Sequence, residues 1–134
     1  MTTVNIGNTD DPFYRYKRPV SIIENRSGKT IISNLENIAK ALETKPSYIL
    51  YYIQLEKSTT ITPKLEIKII LTKLEIEYLL NKFINEYILC SLCKYPETII
   101  KKTGGKLYFS CKACGHAKNI PENKFTKKIY KDYI

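Results

Sequence analysis

Four cysteines carry the clearest chemistry in this chain. Cys90-Ser-Leu-Cys93 and Cys111-Lys-Ala-Cys114 account for every cysteine in the sequence. Seventeen residues, 94–110, separate the two pairs, inside the C-x2-C-x15–20-C-x2-C spacing of zinc sites. Two residues between thiolates let a tight turn aim both sulfurs at one ion, and a second such turn completes a tetrahedral S4 shell. Four protein ligands leave no open position, so the expected zinc is structural. Iron in a rubredoxin-like S4 site is the minor rival. Two disulfides or four buried free thiols are the alternatives without metal. Disulfides require an oxidising compartment, and Met1–Lys17 shows no signal-peptide pattern.

The elements around the cysteines fit that reading. Glu97–Lys102 and Lys106–Ser110 read as two short strands, and Thr103-Gly104-Gly105 supplies the turn. Gly-Gly accepts the positive φ that tight hairpins demand. His116–Ile120 is a candidate third strand. Knuckle, hairpin, knuckle and strand make a zinc ribbon, whose small core leaves much of its folding free energy to the metal.

Charge is concentrated in the same half. The formal net charge is +9 over 134 residues. Residues 1–87 hold 12 basic and 10 acidic side chains, a balance of +2, and residues 88–134 hold 10 basic and 3 acidic, a balance of +7. Four zinc-bound thiolates would lower the latter to +5. Lys101, Lys102, Lys106 and Lys112, with Tyr95, Tyr108, Phe109, Phe125, Tyr130 and Tyr133 interspersed, suggest contact with RNA or phosphate. A lysine-rich solvated surface is the plainer reading. No apolar run approaches the roughly 18 residues of a membrane span.

The remainder reads as an α+β chain: a small antiparallel-sheet α/β domain over 18–88, followed by the ribbon over 89–120. Residues 1–17 form a flexible arm rich in turn formers, ending in Phe13-Tyr14-Arg15-Tyr16-Lys17. Pro19–Glu24 and Lys29–Ile32 read as a hairpin around Asn25-Arg26-Ser27-Gly28. Leu35, Ile38, Ala39 and Leu42 recur at helical spacing, and Pro46 suits the first turn of a second helix. Lys57–Thr62 and Leu65–Leu71 read as a second strand pair. Thr72-Lys-Leu-Glu75 is a capping box opening the longest helix, with Ile76, Leu79, Leu80, Phe83, Ile84, Tyr87 and Ile88 on its apolar face and Glu77 away from it. Residues 121–134 are a basic tail for which helix, strand and mobility all stay open. No catalytic triad and no GxxxxGK[ST] phosphate loop is present. Any nucleotide chemistry this chain promotes must use a nucleotide bound elsewhere.

Several stretches together resemble the N-terminal domain of eukaryotic translation initiation factor five. They are Asp11-Pro-Phe-Tyr-Arg-Tyr-Lys17, Asn34 with Ala39-Lys-Ala-Leu42, Phe83-Ile84, Cys90-x-x-Cys-Lys-x-Pro-Glu-Thr98 and Cys111-Lys-Ala-Cys-Gly115. The likeness is nearly colinear over Thr3–Ile120. It implies an α/β domain with an antiparallel sheet and a zinc ribbon after a flexible arm. It further implies a monomeric cytoplasmic factor (host cytoplasm for a viral source) that stimulates GTP hydrolysis by initiation factor 2. The partners it implies are the GTP-bound ternary complex, the small ribosomal subunit and initiator tRNA, and it implies no enzyme activity of the chain's own. On this likeness Arg15 takes the place of an arginine finger and Lys29 that of a supporting basic residue. Tyr51 stands where the family has a lysine, and Gln54-Leu-Glu-Lys57 replaces a glycine-containing stretch. The family's acidic linker and C-terminal helical domain have no counterpart after Ile120, which reads as a fragment or a short natural form.

Two rival readings differ in partner. The β subunit of initiation factor 2 shares the α/β-plus-ribbon core but begins with a helix for its γ partner, and here the FYRYK box lies almost at the first residue. A non-catalytic mimic of either factor would bind initiator tRNA or the ribosome, or compete for the G protein. A transcription-type zinc ribbon would carry an acidic pair at the hairpin tip, and this tip reads Thr103-Gly-Gly-Lys106.

Overall fold

A computed structural model describes residues 3–7 and 9–133, with Tyr133 described by its backbone alone. Met1, Thr2 and Asn8 of the arm and Ile134 of the tail lie outside the described residues. The chain is α+β, with small antiparallel sheets and four α-helices among the described residues. The first two-stranded sheet pairs β1 (Thr3–Asn5) with β2 (Lys17–Pro19). The second pairs β3 (Ile23–Arg26) with β4 (Lys29–Ile32). Its turn is Ser27-Gly28, at φ 53° and 74°, the two positive values a two-residue type I′ hairpin needs.

Helices α1 (Leu35–Ala41), α2 (Pro46–Lys57) and α3 (Lys73–Phe83) bury their apolar sides in one core. Pro46 occupies the first turn of α2, where its missing N–H costs no hydrogen bond. The capping box of α3 forms as expected. Thr72 Oγ1 accepts from the Glu75 N–H at 3.2 Å, and the Glu75 carboxylate accepts from the Thr72 N–H at 3.2 Å. Ile76, Leu79, Leu80 and Phe83 are buried beneath it.

Three features differ from the sequence reading. The first hairpin begins at Ile23, because Lys17–Pro19 is drawn off to pair with Thr3–Asn5. The irregular stretch expected before Lys17 therefore contains a strand, and Ile6 beside it is buried. The expected strand pair over 57–71 is reduced to isolated bridges, Ile61 to Ile67 and Thr30 to Ile67. Lys57 ends α2 instead, and Leu65 turns at φ 63°. Buried Thr30 supplies the missing ladder: its hydroxyl donates to Ile69 O at 2.7 Å and accepts from the Leu71 N–H at 2.8 Å. Glu77 faces inward, against Arg18.

Helix α3 continues into a π-helical turn, Ile84–Ile88, closed by a Leu89 N–H to Ile84 O bond of 2.9 Å. One added residue per turn re-aims the chain, and it delivers Cys90 directly after Leu89. The ribbon follows as a three-stranded antiparallel sheet of β5 (Thr98–Thr103), β6 (Lys106–Cys111) and β7 (Ala117–Asn119). Gly104 and Gly105 make its turn at φ 58° and 79°. The tail forms α4 (Lys124–Tyr133). Asn123 and Thr126 cap it reciprocally, each side-chain oxygen accepting the other's N–H at 2.8 Å. No helix of the described residues is long and apolar enough to cross a membrane.

Candidate metal centre and the arginine loop beside it

The two CxxC turns are built alike. In the first, Lys94 N–H donates to Cys90 O at 3.0 Å and Cys90 N–H donates to Tyr95 O at 3.0 Å. In the second, Gly115 N–H donates to Cys111 O at 3.0 Å and Cys111 N–H donates to His116 O at 2.9 Å. The residue after each second cysteine is left-handed, Lys94 at φ 65° and Gly115 at φ 80°. Each turn thereby points two sulfurs the same way.

Together they place four Sγ atoms within 4.8 Å of one another. Cys90 and Cys114 sulfurs are 3.7 Å apart, and those of Cys93 and Cys111 are 3.6 Å apart. No disulfide joins them. A tetrahedral ion with metal–sulfur bonds of ~2.3 Å requires sulfur separations of ~3.8 Å, so the donor set fits such an ion closely. Cys90 and Cys111 are buried, Cys93 is half-buried and Cys114 is exposed. Burial opposes ionisation of Cys90, yet the N–H groups of Cys93 and Leu92 and the neighbouring thiols outweigh it and bring its pKa down to about 7. At Cys93 the Tyr95 N–H favours the thiolate, but burial and the adjacent thiols push its pKa up to about 12. Four sulfurs this close cannot all ionise unless a cation joins them.

The arginine loop meets this centre. Asp11 makes a local turn, its carboxylate accepting the Phe13 N–H at 3.0 Å. Tyr14 stacks on Tyr95 with ring centroids 6.3 Å apart, and Tyr16 lies 6.0 Å from the same ring. Tyr16 OH donates to Glu97 Oε1 at 2.5 Å. Tyr95 and Glu97 follow the first knuckle, so the loop rests on the ribbon. Between the two anchored tyrosines Arg15 is exposed, its guanidinium carbon 5.0 Å from the Tyr16 ring centroid. Among the described residues it makes no ion pair.

Lys29 lies elsewhere, at the start of β4, 3.7 Å from Glu66. The structure does not bring it against Arg15. Lys101, Lys102 and Lys106 are exposed at the β5–β6 tip. Lys112 is exposed too, but its ammonium sits 3.7 Å from Glu43 and 3.8 Å from Glu97. Of the aromatics interspersed with these lysines, Phe109 and Phe125 are core residues. Tyr133 lies outside the described side chains. Tyr51 lines a groove with Lys124, Lys127, Lys128 and Lys131 of α4.

Sequence reasoning missed Arg18. It is 1% exposed, and its guanidinium forks onto the Glu77 carboxylate at 3.1 and 3.2 Å and reaches Asn81 Oδ1 at 3.2 Å. This pair fastens β2, and with it the end of the arginine loop, to α3. An arginine next to a lysine and a glutamate on an exposed-looking helix position gave no sign of it.

A family model described as a domain found in initiation factors 2B and 5 matches residues 7–117. The chain is 39% identical over 143 residues to eukaryotic translation initiation factor 5 of Dictyostelium discoideum, covering 98% of this chain and 36% of that protein. It is 35% identical over 145 residues to a probable eukaryotic translation initiation factor 5 of Schizosaccharomyces pombe, covering 98% and 37%. It is also 26% identical over 107 residues to eukaryotic translation initiation factor 2 subunit beta of Triticum aestivum, covering 77% and 40%. The chain thus spans just over a third of the length of these factor 5 relatives.

Proposed function

This chain belongs to the family of translation initiation factor 5, whose domain is shared with the beta subunit of initiation factor 2, and we propose that it stimulates GTP hydrolysis by initiation factor 2 in the ribosomal preinitiation complex, with Arg15 as an arginine finger in trans. The observation that supports this most is the setting of Arg15: an exposed guanidinium without a carboxylate partner among the described residues, between two tyrosines held on the ribbon. Phosphoryl transfer spreads negative charge over the γ-phosphate oxygens, and a planar guanidinium meets two of them at once. Holding its neighbours in place lowers the ordering cost of inserting Arg15 into a partner's site.

Zinc is the proposed structural ion of Cys90, Cys93, Cys111 and Cys114, and it supplies the closed S4 centre on which Tyr95 and Glu97 are positioned. Lys29 is a supporting cation whose pair with Glu66 would open on binding. Lys101, Lys102 and Lys106, with Lys112, are proposed contacts to the small ribosomal subunit or initiator tRNA. The setting is the cytoplasm, the chain acts as a monomer, and catalysis belongs to the partner.

GTP hydrolysis in a reconstituted initiation complex tests the proposal. The wild-type chain should accelerate it, and Arg15→Lys and Arg15→Ala should each remove a large part of the ~10³–10⁵ that such fingers supply. Both variants should still bind the complex. Arg15→Lys retaining most of the stimulation would overturn the finger, because a lysine lacks the guanidinium fork. The similarity to the beta subunit favours a second reading, binding without activation. On that reading the chain competes with full-length factor 5, and Arg15→Ala competes as well as wild type.

A further inference from the structure

The charge of the tail is gathered on one side of α4. Lys124, Lys127, Lys128 and Lys131 recur at i, i+3, i+4 and i+7, the spacing that stacks side chains along one helix face. The opposite side carries Phe125, Thr126 and Ile129, all buried against the core. The lysine face borders a groove of about 370 Å³ that also includes Tyr51 of α2. Tyr51 is fixed there: its ring stacks on Phe125 at 6.0 Å, its hydroxyl donates to Lys124 O at 3.2 Å, and Lys128 Nζ lies 5.2 Å from its ring centroid.

Helix stability does not account for this arrangement. Like charges at i, i+3 and i+4 destabilise a helix. A cation in the first turn, as at Lys124, opposes the helix dipole, and that turn holds no acidic residue. Among the described residues none of the four lysines has an ion-pair partner within 4.0 Å. The nearest acid of α4, Asp132, is engaged by Tyr48 OH at 2.6 Å and by Lys45 at 3.6 Å. The face is therefore a row of four cations about 10 Å long, bordered by the Tyr51 ring, with Asp132, which also feels the Lys128 charge, as the single acid of α4.

We propose that this face of α4 is a binding surface for the phosphate backbone of RNA, separate from the β5–β6 tip. Lysine heads are point charges that bind phosphates without the planar fork of arginine, and no arginine occurs in 88–134. The choice of RNA over other polyanions rests on the chain's place among translation initiation factors. The surface involves neither Arg15 nor the partner's GTP site. It reads no sequence, because cations on a helix facing phosphates carry no base information.

Fluorescence anisotropy of the full metal-loaded chain with labelled single-stranded polyuridine, across a salt series, tests it. The variant Lys124→Gln/Lys127→Gln/Lys128→Gln/Lys131→Gln should bind about tenfold or more weakly at low salt. It should also flatten the slope of log affinity against log salt by up to about 3, at ~0.7 for each of four phosphates if every lysine neutralises one. Glutamine keeps helix propensity, so helical circular dichroism should be retained. If α4 nevertheless undocks, single Lys127→Glu, at an exposed position, gives the same reading on a folded helix. An unchanged slope in folded variants overturns the proposal. So does polyglutamate displacing the RNA at equal charge concentration, which would assign the face to an acidic protein. Failure here leaves the Arg15 reading standing, because the measurement contains no G protein and no GTP.

Discussion

Tyr16 and Glu97 are 81 residues apart in sequence, and a 2.5 Å hydrogen bond joins them. The phenol donates to a carboxylate, which makes the bond charge-assisted, and the Glu97 hydrogen bond raises the Tyr16 pKa. It ties the loop carrying Arg15 to the first strand of the ribbon. Tyr16→Phe keeps the ring contacts to Tyr14 and Tyr95 and removes this bond alone. Amide exchange over residues 9–16 should then speed up while α1–α3 keep their protection. Exchange that is unchanged would mean that the stacked rings hold the loop without the bond.

Metal removal should act on the same loop from the other side. The sulfur separations of 3.6 and 3.7 Å suit one tetrahedral ion, so native mass spectrometry should find one zinc per chain. A chelator, or any single Cys→Ser change, should expose the amides of 90–116 and of the loop over Tyr14–Tyr16. Most of the α/β core should stay folded, since the larger part of the apolar cluster comes from α1, α2 and α3, while its ribbon members Leu107, Phe109 and Ile120 should loosen. A metal-free chain with a fully protected ribbon would sink the metal assignment.

The two knuckles differ at one position, and the difference has a sign. Lys94 and Gly115 occupy the same left-handed backbone, at φ 65° and 80°. A residue with a Cβ is strained there by about 1 kcal/mol relative to glycine. Lys94→Gly should therefore stabilise the first knuckle by up to about that amount. Gly115→Ala should destabilise the second, and purely through its backbone, because no atom lies within 4 Å of the added carbon. Competition with a colorimetric zinc chelator should rank metal affinity as Lys94→Gly, then wild type, then Gly115→Ala.

The Arg18–Glu77 pair makes stability sensitive to acid. Burial pushes the Glu77 carboxyl up, but Arg18 and the donors of Ser21 outweigh it and hold the pKa below its ordinary 4.5. A carboxyl lowered on folding contributes stability that is fully present above its unfolded value and is lost as pH falls through its folded value. Urea midpoints should thus be flat near neutrality and fall below about pH 4.5. Glu77→Gln should lower the neutral plateau and flatten the acid limb. Glu77→Leu strands a guanidinium that is 1% exposed. Its cost should lie near the low end of the ~3–5 kcal/mol for breaking a buried pair, since the Glu77 side chain keeps 19% exposure.

What the sequence made legible was local. Cysteine spacing, the Thr72–Glu75 capping box and the glycine turns at Ser27-Gly28 and Gly104-Gly105 are decided within a few residues, and all form in the structure. What it hid depends on distant partners. The strand pair over 57–71 fails because the Thr30 hydroxyl, some forty positions away, takes the backbone groups of Ile69 and Leu71. Glu77 reads as solvated until β2 brings Arg18 against it. The π-helical turn at Ile84–Ile88 is invisible to a continuous apolar periodicity, although it sets the direction in which Cys90 leaves α3. For the tail, amphipathy becomes meaningful only with α2 beside it.

Phe125 is what makes that tail a helix docked on the core. Its ring centroid lies 4.6 Å from Tyr87, 5.6 Å from Tyr52, 5.9 Å from Phe83 and 6.0 Å from Tyr51. It therefore touches α2, α3 and the turn leading into the ribbon. Emptying such a site typically costs about 3–5 kcal/mol. Helix α4 is expected to open as a local unit, leaving the core without unfolding the rest. The measurable loss is therefore capped at the free energy of docking. Phe125→Ala should raise amide exchange over 124–133 to nearly unfolded rates while the amides of α1 and α3 change little. The chemical shifts of Tyr87 and of Phe109, 6.5 Å from Tyr87, should report a loosened contact between ribbon and core. Global unfolding at a much lower denaturant concentration, with exchange rising everywhere at once, would instead show that α4 is an integral part of the cooperative unit.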